Sequence, residues 1–139
     1  MSEPSEPLAI DRRVLDDVVA HARAEAPHEC CGLLIGRHER VEDHVRARNI
    51  RASATAYLVD PRDHFAAIRR ARSAGADVVG AYHSHPRSPA VPSPTDLAEA
   101  HGGFLYLIVS LQDRDRPDVR AYALDGGNFV PLAFVPCPT

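Results

Sequence analysis

The chain has few cysteines, and they are not spaced as in disulfide-bonded or cysteine-ligated proteins. Its 139 residues include three cysteines, of which Cys30 and Cys31 are adjacent and Cys137 stands in a terminal P-C-P-T. Adjacent cysteines pair with each other only under strain, so we expect reduced thiols rather than a disulfide framework. The absence of a Cys-x-x-Cys spacing also argues against a zinc site built from cysteines.

The net charge is small, and long apolar runs are lacking. The net charge is −3, which gives no reason to expect nucleic acid or an anionic membrane as a partner, and all 16 basic residues are arginine. No apolar run approaches the length of a membrane span, and residues 1–7 lack the basic and apolar regions of a signal peptide. We therefore expect a cytoplasmic protein with a disordered tail over residues 1–7 and a single domain over residues 8–139.

Two longer helices are predicted from apolar spacing and end signals. Apolar residues recur on one face of residues 11–24, which predicts an amphipathic helix that ends before Pro27. Asp60 followed by Pro61 predicts the capped start of a second helix, which runs to about Ser73. The residues expected on the buried face of the second helix are Phe65, Ile68, Ala71 and Ala74.

Short apolar or alternating segments predict the strands. They are residues 31–35, 41–50, 57–59, 78–82, 104–111, 119–124 and 129–135, the last two joined as a hairpin. Residues 104–111 are continuously apolar, as expected for a central strand buried on both faces. Helices interleaved with roughly six or seven strands indicate an α/β layered fold with a mixed sheet.

The clearest chemical signal is the stretch from Gly80 to Asp96, G-A-Y-H-S-H-P-R-S-P-A-V-P-S-P-T-D. His83 and His85 stand two residues apart at a strand end, so both imidazoles should lie on one face and Ser84 on the other. A proline-stiffened loop can then carry Asp96 back to the histidines. Three protein ligands leave one tetrahedral position open, which is typical of a catalytic rather than a structural zinc site.

The residues around the predicted ligands strengthen this reading. A His-x-His pair alone is weak evidence, but the added proline, serine and aspartate at fixed offsets make a chance occurrence improbable. Ser93 should cap a helix that begins at Pro94, holds Asp96 in its first turn and continues to His101. The Ser93 hydroxyl could also stabilise an oxyanion, and its position favours neither role over the other.

Hydrolysis of an amide at such a site also needs a general base that does not bind the metal. Glu29 is the candidate, because it stands at the entrance of an otherwise apolar strand. A glutamate on a surface loop is the alternative, and position alone leaves both open. The remaining histidines are expected at the surface rather than as ligands: His21, His28, His38, His44, His64 and His101.

Together these residues resemble the signature of the JAMM (MPN+, Mov34/PAD-1) zinc metallopeptidases. That signature is an upstream glutamate followed by His-Ser-His-Pro, a short loop and Ser-x-x-Asp. The segment E-C-C-G-L-L-I-G, Asn49 and the segment F-L-Y-L-I-V-S resemble small prokaryotic members. The resemblance implies an α/β three-layer sandwich with a mixed central sheet flanked by helices, similar to cytidine deaminases. It also implies one zinc per chain held by His83, His85 and Asp96, with Glu29 as general base and Ser93 as oxyanion partner.

The same resemblance implies a class of substrate. Family members cleave isopeptide or peptide bonds after the C-terminal tail of ubiquitin or ubiquitin-like proteins. Eukaryotic members carry insertions that grip ubiquitin, whereas only D-R-D-R-P separates two strands here. The chain is closer to minimal bacterial forms, some of which trim sulfur-carrier proteins, including removal of a cysteine from a CysO-like carrier. A ubiquitin-like or sulfur-carrier protein is therefore the expected substrate, and which one is left open, as is the oligomeric state.

Two other functions compete with this interpretation. A binding module could use zinc to organise a surface for a carrier protein without cleaving it. A zinc deaminase would suit the fold analogy, but the chain lacks the His-x-Glu and Cys-x-x-Cys motifs of that chemistry.

Overall fold

The computed structural model describes residues 7–37, 39–98, 100 and 103–138. Its helices are α1 (Arg12–Glu25), α2 (Pro61–Ser73) and α3 (Pro94–Ala98). Its strands are β1 (Leu8–Asp11), β2 (Cys31–Arg37), β3 (Arg40–Ala47), β4 (Asp77–His85), β5 (Leu105–Ser110), β6 (Asp118–Asp125), β7 (Asn128–Leu132) and β8 (Phe134–Cys137). None of the described helices is long and apolar enough to cross a membrane.

The strands form one mixed sheet in the order β7-β6-β5-β4-β2-β3-β1-β8. The pairs β4–β5, β1–β3 and β1–β8 are parallel, whereas the other neighbours are antiparallel. Although β7 and β8 are at opposite ends of this order, Ala133 alone separates them in the chain. The sheet must therefore curl until its two edges approach each other at Ala133.

Helices cover both faces of the sheet. On one face, Val14 and Val18 of α1 pack in a core cluster with Tyr82 of β4. On the other face, Ala67 of α2 belongs to a cluster with Ala81 of the same strand. Neighbouring residues of a strand point to opposite faces, so one alternating strand serves both cores. The predicted α/β arrangement of a mixed sheet flanked by helices is confirmed.

The centre of the sheet is also where the predicted central strand lies. β5 stands between β4 and β6, and its residues from Tyr106 to Ser110 are buried. β4 is buried from Gly80 to His85. Because β4 and β5 are parallel, their carboxyl ends lie side by side, and the chain that connects them carries α3. The candidate site lies at these carboxyl ends.

Two strand predictions were wrong, and one strand was missed. Residues 57–59 form no strand, and only Val59 makes an isolated bridge, to Asn49. Residues 129–135 do not form one strand, because the chain leaves the hairpin at Ala133 and continues as β8 on the opposite edge. β1 was not predicted at all. Four residues beside a helix carry too short a pattern to be recognised. β1 pairs with β3 on one side and with β8 on the other, and β8 has β1 as its partner in the sheet.

The buried face of α2 matches the predicted one at Ala71 and differs from it at Phe65 and Ala74. Phe65 is 63% exposed, and Ala74 is exposed as well, whereas Ala67 and Ala71 are buried against the sheet. Small side chains at these two positions let the helix lie close to the strands, so the large apolar residue is left outside. α3 ends at Ala98, short of the predicted His101; residues 99, 101 and 102 lie outside the described residues, as do residues 1–6 of the predicted tail.

Candidate metal centre

The two histidines of β4 and Asp96 of α3 lie together at the carboxyl ends of β4 and β5. The Nε2 atoms of His83 and His85 are 3.2 Å apart. Asp96 Oδ2 lies 3.0 Å from His85 Nε2 and 3.2 Å from His83 Nε2. All three residues are buried. The structure thus brings together the three predicted ligand atoms.

This spacing fits a tetrahedral zinc ion. Bonds of about 2.0–2.1 Å in tetrahedral geometry place neighbouring ligand atoms roughly 3.3 Å apart. The three atoms are within a few tenths of an ångström of that separation, so they would hold zinc at three positions and leave the fourth for water or substrate. Two buried polar atoms at the site, Glu29 Oε1 and His83 Nδ1, also lack a hydrogen-bond partner among the described residues.

The protonation of His83 and of Asp96 suits a cation. Burial lowers the pKa of His83, which favours the neutral imidazole. Burial also disfavours the charged form of His85, but Asp96 and the Pro89 carbonyl raise its pKa. For Asp96, burial opposes ionisation, yet hydrogen bonds from both histidines hold the pKa of the carboxyl well below its ordinary value. An ionised carboxylate beside a neutral imidazole is what a zinc site requires.

Ser93 and Asp96 hold each other at the start of α3. The backbone N–H of Asp96 donates to Ser93 Oγ at 3.0 Å, and the backbone N–H of Ser93 donates to Asp96 Oδ2 at 2.8 Å. The predicted helix cap is therefore present. The second bond also restricts the carboxylate, so Ser93 orients the predicted third ligand.

The pairing of β2 with β4 brings Glu29 to the same site. Cys31 lies opposite His83, and the pairing continues past β2, because the Ser84 N–H donates to the Cys30 carbonyl at 3.1 Å. The same antiparallel register places Glu29 opposite His85, on the same face of the sheet. Glu29 is 3% exposed, so the alternative of a glutamate on a surface loop is wrong.

The environment of Glu29 suits proton transfer. Burial raises the pKa of Glu29 to about 8; His85 opposes this shift and the charge of Asp96 adds to it. A carboxyl whose pKa lies near neutrality can both accept and release a proton. Two imidazoles, one carboxylate and a nearby proton acceptor can together hold a cation and activate a water molecule.

Comparison with known families agrees with this geometry. The family model described as prokaryotic homologs of the JAB domain matches residues 11–125. The chain belongs to this family. Together with relatives named as a protease and a peptidase, this match confirms the expectation of a JAMM-type hydrolase.

Two curated relatives are similar to this JAB-family protein over most of its length. A probable TtuB-protein conjugate cleaving protease of Thermus thermophilus is 38% identical over 126 residues, which cover 90% of this chain and 81% of the relative. A CysO-cysteine peptidase of Mycobacterium tuberculosis is 34% identical over 127 residues, which cover 86% of this chain and 84% of the relative.

Solved structures show the same fold. A protein of Desulfitobacterium hafniense, 28% identical, superposes with a TM-score of 0.86 over 94% of this chain and 93% of its own. A JAB1/MPN domain protein of Archaeoglobus fulgidus, 22% identical, superposes with a TM-score of 0.62 over 94% of this chain and 100% of its own. The predicted JAB/MPN fold is confirmed.

The JAB domain also uses residues to which the sequence assigned no role at the site. The Tyr57 ring stacks on the His83 ring, with centroids 4.5 Å apart and planes 19° from parallel. The Asn49 side chain donates to the carbonyls of Glu29 and Ala56, each at 3.0 Å. The likeness to prokaryotic members pointed to Asn49 without a function, whereas nothing in the pattern around Tyr57 indicated contact with a histidine.

The other described histidines of the JAB domain stay out of the ligand cluster. His28 is exposed, as predicted, and His64 and His44 are half-buried. The surface prediction for His21 was wrong, because its ring is buried and Nδ1 lies 2.8 Å from the Tyr82 hydroxyl. The sequence around His21 did not indicate that α1 packs this residue against a tyrosine of β4. His38 and His101 lie outside the described residues.

Proposed function

We propose that the chain is a zinc-dependent metallopeptidase that hydrolyses an amide bond at the C-terminal tail of a ubiquitin-like or sulfur-carrier protein. The observation that carries this proposal is the buried Glu29 carboxyl, unpartnered at Oε1, on the sheet face that also bears the His83, His85 and Asp96 cluster. The names of the two relatives, which refer to TtuB conjugates and CysO-cysteine, support the substrate class.

His83, His85 and Asp96 would hold one zinc ion per chain. When bound, zinc supplies a Lewis acid that polarises a carbonyl and lowers the pKa of water to about 7. The stack of Tyr57 on His83 and the bond from His85 Nδ1 to the Pro89 carbonyl orient the two rings. That second bond places the proton on Nδ1 and leaves the lone pair on Nε2 for the metal.

Glu29 would move the protons of the reaction. Its carboxylate accepts a proton from water as the water oxygen bonds to the amide carbon. The protonated carboxyl then gives this proton to the amide nitrogen as the carbon–nitrogen bond breaks. The Ser93 Oγ accepts the Asp96 N–H, so its own O–H can donate a hydrogen bond to the carbonyl oxygen that gains negative charge.

Zinc content and turnover of Glu29→Gln test this assignment. The amide keeps the shape of the side chain but cannot accept the proton, so we expect kcat to fall by about 10²–10⁴-fold while each chain still binds one zinc. The substrate would be a carrier protein with a Gly-Gly tail joined to cysteine or to a second protein, and cleavage would be followed by mass. A chelator should abolish turnover of the wild-type protein, and added zinc should restore it.

The outcomes separate the parts of the proposal. Unchanged turnover in Glu29→Gln would show that another group is the base, and turnover that resists chelation would contradict the metal. A wild-type protein that captures the carrier without changing its mass would instead be the zinc-organised binding module. Cleavage that disappears in Asp96→Ala would exclude that alternative.

A further inference from the structure

The loop between β4 and α3, residues 86–93, decides where Asp96 lies. Among the described residues, no backbone–backbone hydrogen bond involves residues 86–92. Four prolines occur in residues 86–94, and proline has no backbone N–H to donate. Something other than regular backbone pairing must therefore hold this loop in place.

Side-chain donors bind three successive carbonyls of the loop. Ser110 Oγ donates to the Ser88 carbonyl at 2.6 Å, and the Tyr122 hydroxyl donates to the Ala90 carbonyl at 2.6 Å. Between them, His85 Nδ1 bonds to the Pro89 carbonyl at 2.8 Å. The loop is thus attached to β5, to β6 and to one of the proposed ligands.

The two outer donors are themselves firmly placed. Ser110 ends β5 opposite His85 in the parallel register, and its Oγ also accepts the N–H of Gln112 at 3.1 Å. Tyr122 is 8% exposed, and its ring packs edge to face on Phe129 of β7. Both donors therefore belong to the rigid sheet rather than to the loop.

From this arrangement we propose that Ser110 and Tyr122 are positioning residues of the metal centre. By holding the carbonyls on either side of Pro89, they fix the acceptor that orients His85. They also fix the path of the chain that returns Asp96 Oδ2 to within 3.2 Å of both Nε2 atoms. This inference rests on the proposed function only in that the cluster binds a metal.

Tyr122→Phe tests the inference, because it removes the hydroxyl and keeps the ring. Tyr82→Phe is the matched control: it also removes a buried hydroxyl, whose 2.8 Å bond to His21 lies on the α1 face. Metal-free proteins would be titrated with zinc, and the visible spectrum of the cobalt-loaded proteins would report the ligand geometry. We expect Tyr122→Phe to weaken zinc binding by about 10–100-fold and to alter the cobalt spectrum.

The control should keep zinc affinity within about twofold of wild type while showing a similar drop in unfolding temperature. Ser110→Ala should weaken zinc binding in the same direction as Tyr122→Phe. If Tyr122→Phe binds zinc as tightly as wild type, or if both tyrosine variants lose affinity equally, the positioning role is overturned and the bond is structural only. Failure of the wild-type protein itself to bind zinc would overturn the metal centre and this inference with it.

Discussion

At the scale of single residues, the candidate site depends on polar atoms that each meet one specific partner. Ser93 and Asp96 exchange two hydrogen bonds, so the serine could act as a helix cap, as an oxyanion donor or as both. Position in the chain did not separate these roles, and the two hydrogen bonds in the structure account only for the helix cap. Kinetics of Ser93 variants can separate them.

Ser93→Ala should lower kcat by about 10²–10³-fold at saturating zinc, because one donor to the developing oxyanion is lost. Ser93→Thr keeps a hydroxyl at the same place and should retain most of the activity. The measurement is kcat and KM on the carrier substrate, with zinc content determined for each variant. A Ser93→Ala protein that is less stable but has wild-type kcat when fully loaded would reduce the role of Ser93 to the cap.

At the scale of elements, the pairing of β2 with β4 determines which residues share the site. Gly32 makes room for this pairing, because a Cβ atom there would lie 2.2 Å from the Tyr82 ring. Ser84, between the two histidines, faces away from them as predicted, and its Oγ accepts the Cys30 N–H at 2.8 Å. This bond extends the pairing to the residue next to Glu29.

Replacement of Ser84 by alanine should therefore destabilise the protein. The Cys30 N–H would remain buried without its acceptor, at a cost of about 1–3 kcal/mol. Urea denaturation measures this loss, with Ser73→Ala at the exposed end of α2 as a control expected within about 0.5 kcal/mol of wild type. Equal stability of the two variants would mean that the Ser84 bond contributes nothing to the pairing.

At the scale of the whole molecule, α1 is attached to the far side of the sheet by an ion cluster. Asp17 of α1 accepts hydrogen bonds from Arg46 Nε at 2.9 Å and from His44, both on β3. The bonds from Arg46 hold the pKa of the Asp17 carboxyl well below its ordinary value; burial opposes this shift and His44 adds to it. The cluster therefore links folding stability to acid pH.

The direction in which folding stability changes with pH follows from the lowered pKa of Asp17. The folded chain keeps Asp17 ionised where the unfolded chain already binds a proton, so the contribution is full above the ordinary value of 3.8 and is lost as the pH falls below it. Asp17→Asn should cost about 1 kcal/mol at pH 7, since the carboxyl is 34% exposed and solvent screens the pair. The difference from wild type should shrink as the pH falls below 3.8.

Thermal unfolding at several pH values checks this expectation. Asp16→Asn is the control, because it makes the same change of charge on the exposed side of α1 and leaves the described ion cluster intact. A constant difference between Asp17→Asn and wild type from neutral to acid pH would contradict the role of the ionised carboxylate.

Local patterns predicted much of the fold and failed where distant segments meet. The α1 periodicity, the Asp60-Pro61 start of α2 and the apolar run of β5 all specify structure over a few residues. β8 could not be predicted as a separate strand, because its partner is the amino-terminal β1. Phe65 was wrongly predicted to be buried. The face of α2 that packs on the sheet carries small alanines, because the helix lies close to the strands.

The sequence by itself determined the residues of the candidate metal site, because His83, His85 and Asp96 lie within one short stretch whose strand period and helix cap are local properties. Only the tertiary structure decided that Glu29 is buried beside them, since its environment depends on the register of β2 against β4. The same holds for Tyr57, Ser110 and Tyr122, which reach the site from other strands and loops. Contacts between segments distant in sequence depend on how the sheet curls and pairs, and no local pattern records that geometry.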